Sequence, residues 1–470
     1  MEALKLNLVA EWCHGRLLNA SPALVVDGVS TDSRAIKAGE LFIALSGDKF
    51  DAHDFLADVN TKGAAAALVN EARVDTLPAG LPAITVDDTR KALGRLAASY
   101  RQQFGFPIVA IAGSNGKTST KELVASVVSE RLNAAWSPAS FNNDIGVPLT
   151  LLQLTREHQV GVLEIGTNHP GELRPLIEMI RPTIGIVTSI GREHLEFFGS
   201  LEGVLEEEGT LAEMLPKGGL LIINGDGYGA GELTRRTAAR VARVGVGSEN
   251  EWRIREVELG AGGSRFLMEC DAAAYAGEYH IKLLGSHQVV NAAYAVVVGK
   301  ELGLGRAEIQ RGLASCSGAK MRLQPKRIDD FLVLDDAYNA NADSMQAALE
   351  TLHVFPCKGR RIAVLGDMGE LGDTSDSAHE EVGRRAAEKG VDCLVAVGKS
   401  SGLMAQAART AGLRTVLQLP EVENVGPAVT ELVRPGDVVL VKASRSARLE
   451  RVIEYLSAQF GEKEPAKPGK

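Results

Sequence analysis

Residues 108–120 read Ile-Val-Ala-Ile-Ala-Gly-Ser-Asn-Gly-Lys-Thr-Ser-Thr, a short apolar run that passes directly into a glycine-rich turn. The run from Ile108 to Ala112 predicts a buried strand, and the residues from Lys121 onward have helical apolar spacing. Such a strand, turn and helix N-terminus cradle phosphate, because glycines let backbone N–H groups approach the oxygens. The segment therefore predicts a nucleotide-binding loop.

In this loop we expect Lys117 to reach the β- and γ-phosphates and the Thr118 hydroxyl to ligate Mg²⁺. The full G-x-x-x-x-G-K-[ST] pattern is not met, because Ile111 stands where its first glycine would be. A purely structural turn is the alternative interpretation. The predicted ATP-binding residues of the loop are Gly113, Ser114, Asn115, Gly116, Lys117, Thr118 and Ser119.

Composition narrows the class of protein. A chain of 470 residues, 45% hydrophobic and 24% charged, predicts a soluble protein of about three domains. Its net charge of −9 argues against a nucleic-acid partner or an anionic membrane surface. The five widely spaced cysteines form no C-x-x-C pair, which favours reduced thiols in the cytoplasm. Without a signal-like N-terminus or an apolar run of about 18 residues, no stable membrane insertion is expected.

Apolar strands alternate with helical stretches, which predicts an α/β fold built on mainly parallel sheets. We divide the chain into a small N-terminal α/β domain (1–86), a central parallel-sheet P-loop domain (87–318), a C-terminal Rossmann-like α/β domain (319–460) and a disordered tail (461–470). A helix from Asp88 to about Phe104 leads into the central domain. Polar clusters follow the strands of the two larger domains, which predicts a cleft that closes around substrate.

Several polar residues have both a functional and an ordinary structural interpretation. Glu164 lies in an apolar strand, where a carboxylate needs a metal or an ion pair, and we favour Mg²⁺. On spacing alone, His194 is more often structural than a ligand, and Asn142-Asn143-Asp144 is more often a helix cap. Local pattern also favours a turn for residues 31–34 and an exposed helix face for residues 206–208.

Taken together, these segments resemble the Mur ligase family from Thr31 to about Ile453. The phosphate loop followed by Phe141-Asn142-Asn143-Asp144-Ile145-Gly146-Val147-Pro148 is similar to the family generally. Segments that begin at Asp336 and Leu365 resemble the members that add D-alanyl-D-alanine, and a segment that begins at Val441 completes the set. The resemblance implies that ATP phosphorylates the terminal carboxylate of UDP-MurNAc-tripeptide, and that the dipeptide amine then attacks this acyl phosphate, in peptidoglycan precursor synthesis.

The resemblance also implies roles for individual residues. Lys117, Asn142, Asn143, His194 and Glu208 would be catalytic, and Mg²⁺ would be held by Thr118, Glu164, His194 and Glu208. Further ATP contacts would come from His287, Asn291, Arg322 and Asp336. The UDP-sugar would contact Asp32, Ser33, Arg34 and His53 in the first domain. The dipeptide side would include Asn339, Asn341, Ser444 and Arg445.

The sequence departs from the family pattern in two places. Glu208 stands where the family usually carries a carbamoylated lysine, and Thr210 stands where an acid follows. A glutamate supplies the same charge without modification, although its shorter stem requires a backbone shift or a bridging water. Activity is therefore expected not to depend on dissolved CO₂. Gln288 replaces the asparagine that is usual beside the adenine.

The partners implied are UDP-MurNAc-tripeptide, D-alanyl-D-alanine and ATP, with Mg²⁺ as cofactor, and we expect a monomer. The alternatives are another ligase of the same superfamily, such as folylpolyglutamate synthase, and less favoured, a nucleotide-dependent switch or an inactive homologue.

Overall fold

The computed structural model describes residues 1–47 and 49–462. These residues form two compact units. Unit 1 comprises Met1–Ile111, Leu132–Thr167 and Glu172–Ile184. Unit 2 comprises Ala112–Arg131, Asn168–Gly171 and the described residues from Gly185 onward.

Unit 1 contains a small mixed sheet with strand order β2-β7-β6-β5-β4, an antiparallel pair β1-β3 and the parallel strands β8-β10-β9. Its strands are β1 (Leu4–Lys5), β2 (Arg16–Leu18), β3 (Val25–Val26), β4 (Val29–Ser30), β5 (Leu41–Ile43), β6 (Ala66–Asn70), β7 (Ala83–Val86), β8 (Ile108–Ala112, of which Ala112 belongs to unit 2), β9 (Ala134–Trp136) and β10 (Val160–Glu164). Its helices are α1 (Leu6–Cys13), α2 (Leu56–Thr61), α3 (Thr89–Arg101), α5 (Gly146–Leu151) and α6 (Leu173–Ile180).

The first part of unit 2 carries the strand order β11-β12-β13-β14-β15-β16. Its strands are β11 (Ile184–Val187, of which Ile184 belongs to unit 1), β12 (Leu220–Asn224), β13 (Arg240–Gly245), β14 (Trp252–Gly260), β15 (Gly263–Glu269) and β16 (Gly277–Ile281). Its helices are α4 (Lys117–Val128), α7 (Leu195–Phe198), α8 (Leu201–Glu208), α9 (Thr210–Met214), α10 (Ala230–Arg236), α11 (Ser286–Glu301) and α12 (Arg306–Ser315).

The second part of unit 2 is a sheet with strand order β17-β18-β22-β19-β20-β21, parallel except for β17. Its strands are β17 (Gln324–Ile328), β18 (Phe331–Asp336), β19 (Arg361–Leu365), β20 (Cys393–Val397), β21 (Thr415–Leu419) and β22 (Val438–Lys442). Its helices are α13 (Ala342–Val354), α14 (Ser375–Glu388), α15 (Ser401–Thr410), α16 (Val425–Leu432) and α17 (Glu450–Phe460).

Side chains on these strands alternate between two buried apolar layers, as the twofold period of a strand requires. Leu334 and Leu440 belong to one layer, whereas Val333 and Val439 belong to the other. Helices cover both faces of such a sheet, which is why its strands read as continuous apolar runs.

The structure confirms the α/β fold and the parallel strands, with one addition. Strand β14 pairs with β13 in parallel, and β15 and β16 then continue the sheet in antiparallel fashion. Most side chains of β14 are partly or fully exposed, so this strand lacks the apolar run that reveals a buried parallel strand.

The entrance helix of the central domain is α3, which the Asp88 carboxylate caps by accepting hydrogen bonds from the backbone N–H groups of Arg90 and Lys91. Most of the predicted tail, residues 463–470, lies outside the described residues. Gly461 accepts a hydrogen bond from the Asp329 N–H, and Glu462 forms a bridge with Ile328. The domain boundaries at 86 and 318 stay predictions.

All five cysteines are free thiols, in agreement with the sequence analysis. Among the described residues, no helix is both long enough and apolar enough to cross a membrane.

His379 shows how the C-terminal sheet fixes a loop near its edge. The ring is fully buried on α14, its Nε2 accepts a hydrogen bond from the Met368 N–H at 3.0 Å, and its Nδ1 donates to the Ser375 carbonyl at 2.7 Å. Both nitrogens are therefore satisfied in the neutral tautomer. The ring ties the loop that follows β19 to the start of α14.

Replacing His379 with alanine removes both hydrogen bonds and leaves a cavity, so we expect the free energy of unfolding to fall by about 3 kcal/mol. Urea denaturation measures this loss. His280→Ala, on the exposed side of β16, is the matched control and should change stability by less than about 0.5 kcal/mol. Equal effects of the two substitutions would contradict the role assigned to His379.

Candidate active site

The phosphate loop lies between β8 and α4, as the sequence predicts. Gly113 and Gly116 have φ angles of +112° and +91°, a conformation that residues with a side chain rarely adopt. A Cβ at Gly113 would meet the Thr188 Oγ1 at 2.5 Å, and one at Gly116 would meet the Asn291 Oδ1 at 2.7 Å. Both glycines are thus required by backbone angle and by close packing.

A second loop, residues 188–192, supports the phosphate loop through several hydrogen bonds. The Ser114 N–H donates to the Ser189 carbonyl at 2.8 Å, and the Ser114 Oγ accepts from the Gly191 N–H at 2.8 Å. The Asn115 N–H donates to the Ser189 Oγ at 3.0 Å. We call residues 188–192 the supporting loop.

Lys117 curls back over the phosphate loop. Its Nζ donates to the Gly113 carbonyl and lies 3.5 Å from the Glu193 Oε2. Only 14% of the side chain is exposed. An ammonium held at this position can move to the phosphates of a bound nucleotide.

Glu208 lies directly beneath the loop, although its local pattern had favoured an exposed helix face. Only 1% of the residue is exposed, and its Oε2 accepts a hydrogen bond from the Gly113 N–H at 2.7 Å. Its other oxygen is buried and has no hydrogen-bond partner among the described residues, and the same is true of the Glu193 Oε1. Burial raises the pKa of Glu208, an effect that the Lys117 charge opposes and the Glu193 charge reinforces.

His194 adopts a left-handed backbone conformation with a φ of +48°. Its Nδ1 is hydrogen-bonded to the Glu370 carboxylate, and its Nε2 lies 3.9 Å from the Glu193 Oε2. The Nδ1 contact leaves the Nε2 facing Glu193, on the side of Lys117.

Glu164 and Asn142 form a separate pair in unit 1. The Asn142 Nδ2 donates to the Glu164 Oε1 at 2.9 Å, while the buried Glu164 Oε2 has no partner among the described residues. The Asn143 Oδ1 accepts from the Gly146 N–H at 2.9 Å, so Asn143 caps α5, as its local pattern predicts. Glu164 is therefore a buried carboxylate with one unpartnered oxygen among the described residues, which fits the predicted cation.

Within the part of the chain that the structure describes, no cluster of three or more histidine, cysteine, aspartate or glutamate side chains could hold a metal ion. Mg²⁺ bound to a nucleotide uses one or two carboxylates together with phosphate oxygens and water. In unit 2 the unpartnered carboxylate oxygens of Glu208 and Glu193 fit that requirement, and in unit 1 that of Glu164 does so by itself.

The residues predicted to contact adenine lie on or beside α11. The Asn291 Nδ2 donates to the Gln288 Oε1 at 3.0 Å, and the Gln288 Nε2 donates to the Ser119 Oγ at 3.3 Å. Gln288 thus links α11 to the first turn of α4. Burial lowers the pKa of His287, and the nearby Asp336 charge opposes this shift.

Asp336 forms a buried ion pair that the sequence analysis did not identify. The Lys442 Nζ lies 2.6 Å from the Asp336 Oδ2 and donates to the Asn339 carbonyl at 2.9 Å. Arg322 stacks on the Tyr338 ring at 4.2 Å. A charged residue at the end of an apolar strand is the signal that indicated Glu164. The same signal could have indicated Lys442.

The residues predicted for the dipeptide side are only partly brought together. The Asn341 Nδ2 donates to the Asn115 Oδ1 at 3.1 Å, which places Asn341 at the phosphate loop. Ser444 instead contacts Ser446, and Arg445 pairs with Glu450 at 2.9 Å.

The predicted UDP-sugar residues lie in unit 1. Arg34 is exposed and pairs with Asp32, and the Ser33 carbonyl accepts a hydrogen bond from Lys62. The His53 side chain is buried, with its Nδ1 bonded to Asp51 and its Nε2 accepting from the Asn70 N–H. Their role in binding a UDP-sugar stays a prediction.

Three family models match the chain. The model described as "Mur ligase middle domain" covers residues 111–299, "Mur ligase, glutamate ligase domain" covers 321–445, and "Mur ligase family, catalytic domain" covers 25–101.

Two similar proteins are named UDP-N-acetylmuramoyl-tripeptide–D-alanyl-D-alanine ligase. The one from Escherichia coli is 36% identical over 97% of this chain and 99% of its own length. The one from Bacillus subtilis is 32% identical over 95% and 97%. A crystal structure of MurF from Acinetobacter baumannii is 30% identical, with a TM-score of 0.89 over 97% of this chain and 99% of that one. MurF ligase from Thermotoga maritima, in complex with ADP, shares the fold at 24% identity, with a TM-score of 0.78 over 92% and 97%.

Removing Lys442 as Lys442→Met leaves the Asp336 carboxylate buried and unpaired, so we expect a loss of about 3 kcal/mol in the free energy of unfolding. The double substitution Lys442→Met with Asp336→Asn removes both charges and should recover most of that loss. Chemical denaturation of the two single variants and the double variant measures the coupling. Additive losses would show that the two side chains do not depend on each other.

Proposed function

This chain belongs to the Mur ligase family, and we propose that it joins D-alanyl-D-alanine to UDP-MurNAc-tripeptide at the expense of ATP. The observation that carries this function is 36% identity to the Escherichia coli ligase of that name over 97% of the chain. A folylpolyglutamate synthase from Mycobacterium tuberculosis shares the fold at 17% identity and covers 80% of this chain. The full-length relatives therefore favour the dipeptide ligase.

The phosphate loop supports the first step, in which the terminal carboxylate of the tripeptide attacks the γ-phosphorus of ATP. The backbone N–H groups at the start of α4 and the Lys117 ammonium would stabilise the charge on the transferring phosphoryl group. The Lys117 ammonium is already close to the phosphate loop, because it donates a hydrogen bond to the Gly113 carbonyl. ADP then leaves, and the carboxylate has become an acyl phosphate.

In the second step the amine of D-alanyl-D-alanine attacks the acyl carbon and forms a tetrahedral intermediate, which collapses with release of phosphate. The amine must lose a proton and must lie close to the carbonyl carbon, and water must be excluded. We place Asn341 on the dipeptide side, because its hydrogen bond to Asn115 brings it to the phosphate loop. Asn339, Ser444 and Arg445 stay predictions for that side.

Mg²⁺ would neutralise the negative charge that gathers on the phosphate oxygens. We assign Thr118, Glu164, His194 and Glu208 as its protein ligands. Glu208 would supply its carboxylate without chemical modification.

ATP and a UDP-linked substrate are cytoplasmic metabolites, so we place the reaction in the cytoplasm.

We assign Asp32, Ser33, Arg34 and His53 to the UDP-sugar, His287, Asn291, Arg322 and Asp336 to ATP, and Asn142 and Asn143 to the catalytic surroundings. A monomer is the expected active form.

Phosphate release is expected only when Mg²⁺, ATP, UDP-MurNAc-tripeptide and D-alanyl-D-alanine are all present, together with a pentapeptide product detected by mass spectrometry. Lys117→Ala should lower kcat by at least about 100-fold, since it removes a charge that stabilises the transferring group. Lys217→Ala, an exposed position, is the matched control and should leave the rate unchanged.

Turnover with a different acceptor would identify another ligase of the superfamily. No turnover with any acceptor, despite ATP binding, would contradict an active ligase.

A further inference from the structure

Arg192, in the supporting loop, makes a set of ionic contacts that the reaction itself does not use. Its Nε donates to the Asp343 Oδ1 at 2.8 Å, and its backbone N–H donates to the Asp343 Oδ2 at 2.7 Å. Its Nη1 donates to the Glu381 Oε2 at 2.7 Å. One guanidinium thus spans two carboxylates on α13 and α14.

The second carboxylate, that of Glu381, accepts a further hydrogen bond besides the one from Arg192. The Glu381 Oε1 accepts a hydrogen bond from the Gln346 Nε2 at 2.6 Å. The side chains of Arg192, Asp343 and Glu381 are 31%, 36% and 21% exposed. Forked, partly desolvated contacts of this kind are stronger than an exposed pair of single charges. We call Arg192, Asp343, Gln346 and Glu381 the Arg192 clamp.

The clamp lies next to Gly191, whose backbone contacts the phosphate loop. A Cβ at Gly191 would meet the Asp343 Oδ2 at 2.6 Å, so the carboxylate is packed directly against this backbone. The Gly191 N–H in turn donates to the Ser114 Oγ. The path from α13 to the phosphate loop is therefore Asp343, Gly191 and Ser114.

A second path joins the same helix to the same loop. Asn341 caps α13 by accepting from the Ser344 N–H at 2.8 Å, and its Nδ2 donates to the Asn115 Oδ1. Both paths begin at the first turn of α13 and end on adjacent residues, Ser114 and Asn115. A shift of the phosphate loop must therefore disturb the first turn of α13, and a shift of that turn must disturb the loop.

We propose that Arg192 is a positioning residue that couples occupancy of the phosphate loop to docking of α13. Nucleotide phosphates fix the backbone of the phosphate loop, which fixes the supporting loop and, through the clamp, the first turn of α13. Because such coupling is reciprocal, a docked α13 also strengthens nucleotide binding. With respect to the dipeptide this inference rests on the proposed function, since Asn341 stands on that side.

The test is hydrogen exchange of the full-length protein with and without Mg²⁺ and a non-hydrolysable ATP analogue. The analogue should slow exchange of the amides of residues 343–348 by roughly tenfold in the unsubstituted protein. In Arg192→Gln the amides of residues 113–119 should still be protected by the analogue, but those of residues 343–348 should no longer respond. Arg451→Gln, which removes an exposed pair with Glu423, is the matched control and should behave like the unsubstituted protein.

Arg192→Lys provides a second variant in case the glutamine variant does not fold. Its ammonium keeps the charge but cannot reproduce the fork, so the response of residues 343–348 should again be lost or much reduced. Retention of the full response in either folded variant would overturn the proposal.

A kinetic measurement links the clamp to the reaction. Arg192→Gln should raise KM for D-alanyl-D-alanine by about tenfold and change KM for UDP-MurNAc-tripeptide little. The exchange experiment needs only the ATP analogue, so the clamp can be confirmed even if the dipeptide is not the substrate. Unchanged KM for an accepted dipeptide would contradict the link to the dipeptide side.

Discussion

The hydrogen bond from the Gly113 N–H to the buried Glu208 carboxylate is the contact on which the candidate site depends. Removing a carboxylate from water costs several kcal/mol, and a single N–H offsets only part of that cost. The nearby Lys117 ammonium contributes more, yet one Glu208 oxygen and one Glu193 oxygen are still unpartnered among the described residues. A cation carried in with nucleotide phosphates would complete this arrangement.

The phosphate loop is hydrogen-bonded to other parts of unit 2. Ser114 and Asn115 contact the supporting loop, and Asn115 also contacts Asn341 at the start of α13. Under the proposed coupling, a nucleotide bound at the phosphate loop would influence Asn341, the residue that we propose for the dipeptide side. We propose that Arg192 contributes much of the coupling between the phosphate loop and α13, because its guanidinium pairs with carboxylates on both α13 and α14.

Sequence patterns predicted the parts of the structure that depend on local periodicity. The apolar run at Ile108, the glycine turn and the helix after it appear as expected, and so does the cap at Asn143. Contacts between distant positions could not be predicted in this way, because no local pattern specifies them. The Asp336–Lys442 pair joins two strands 106 residues apart, and Arg192 meets Asp343 across 151 residues. The same limit explains why residues 206–208 suggested an exposed helix face, although Glu208 is buried.

Cation binding by Glu208 is the central claim, and titration of Mn²⁺ followed by electron paramagnetic resonance, with a non-hydrolysable ATP analogue present, tests it directly. Glu208→Gln keeps an acceptor for the Gly113 N–H but removes the charge, so it should weaken Mn²⁺ binding at least about tenfold. Glu206→Gln, whose side chain is 78% exposed on the same helix, should bind Mn²⁺ like the unsubstituted protein. Equal Mn²⁺ affinities in the two variants would contradict the account.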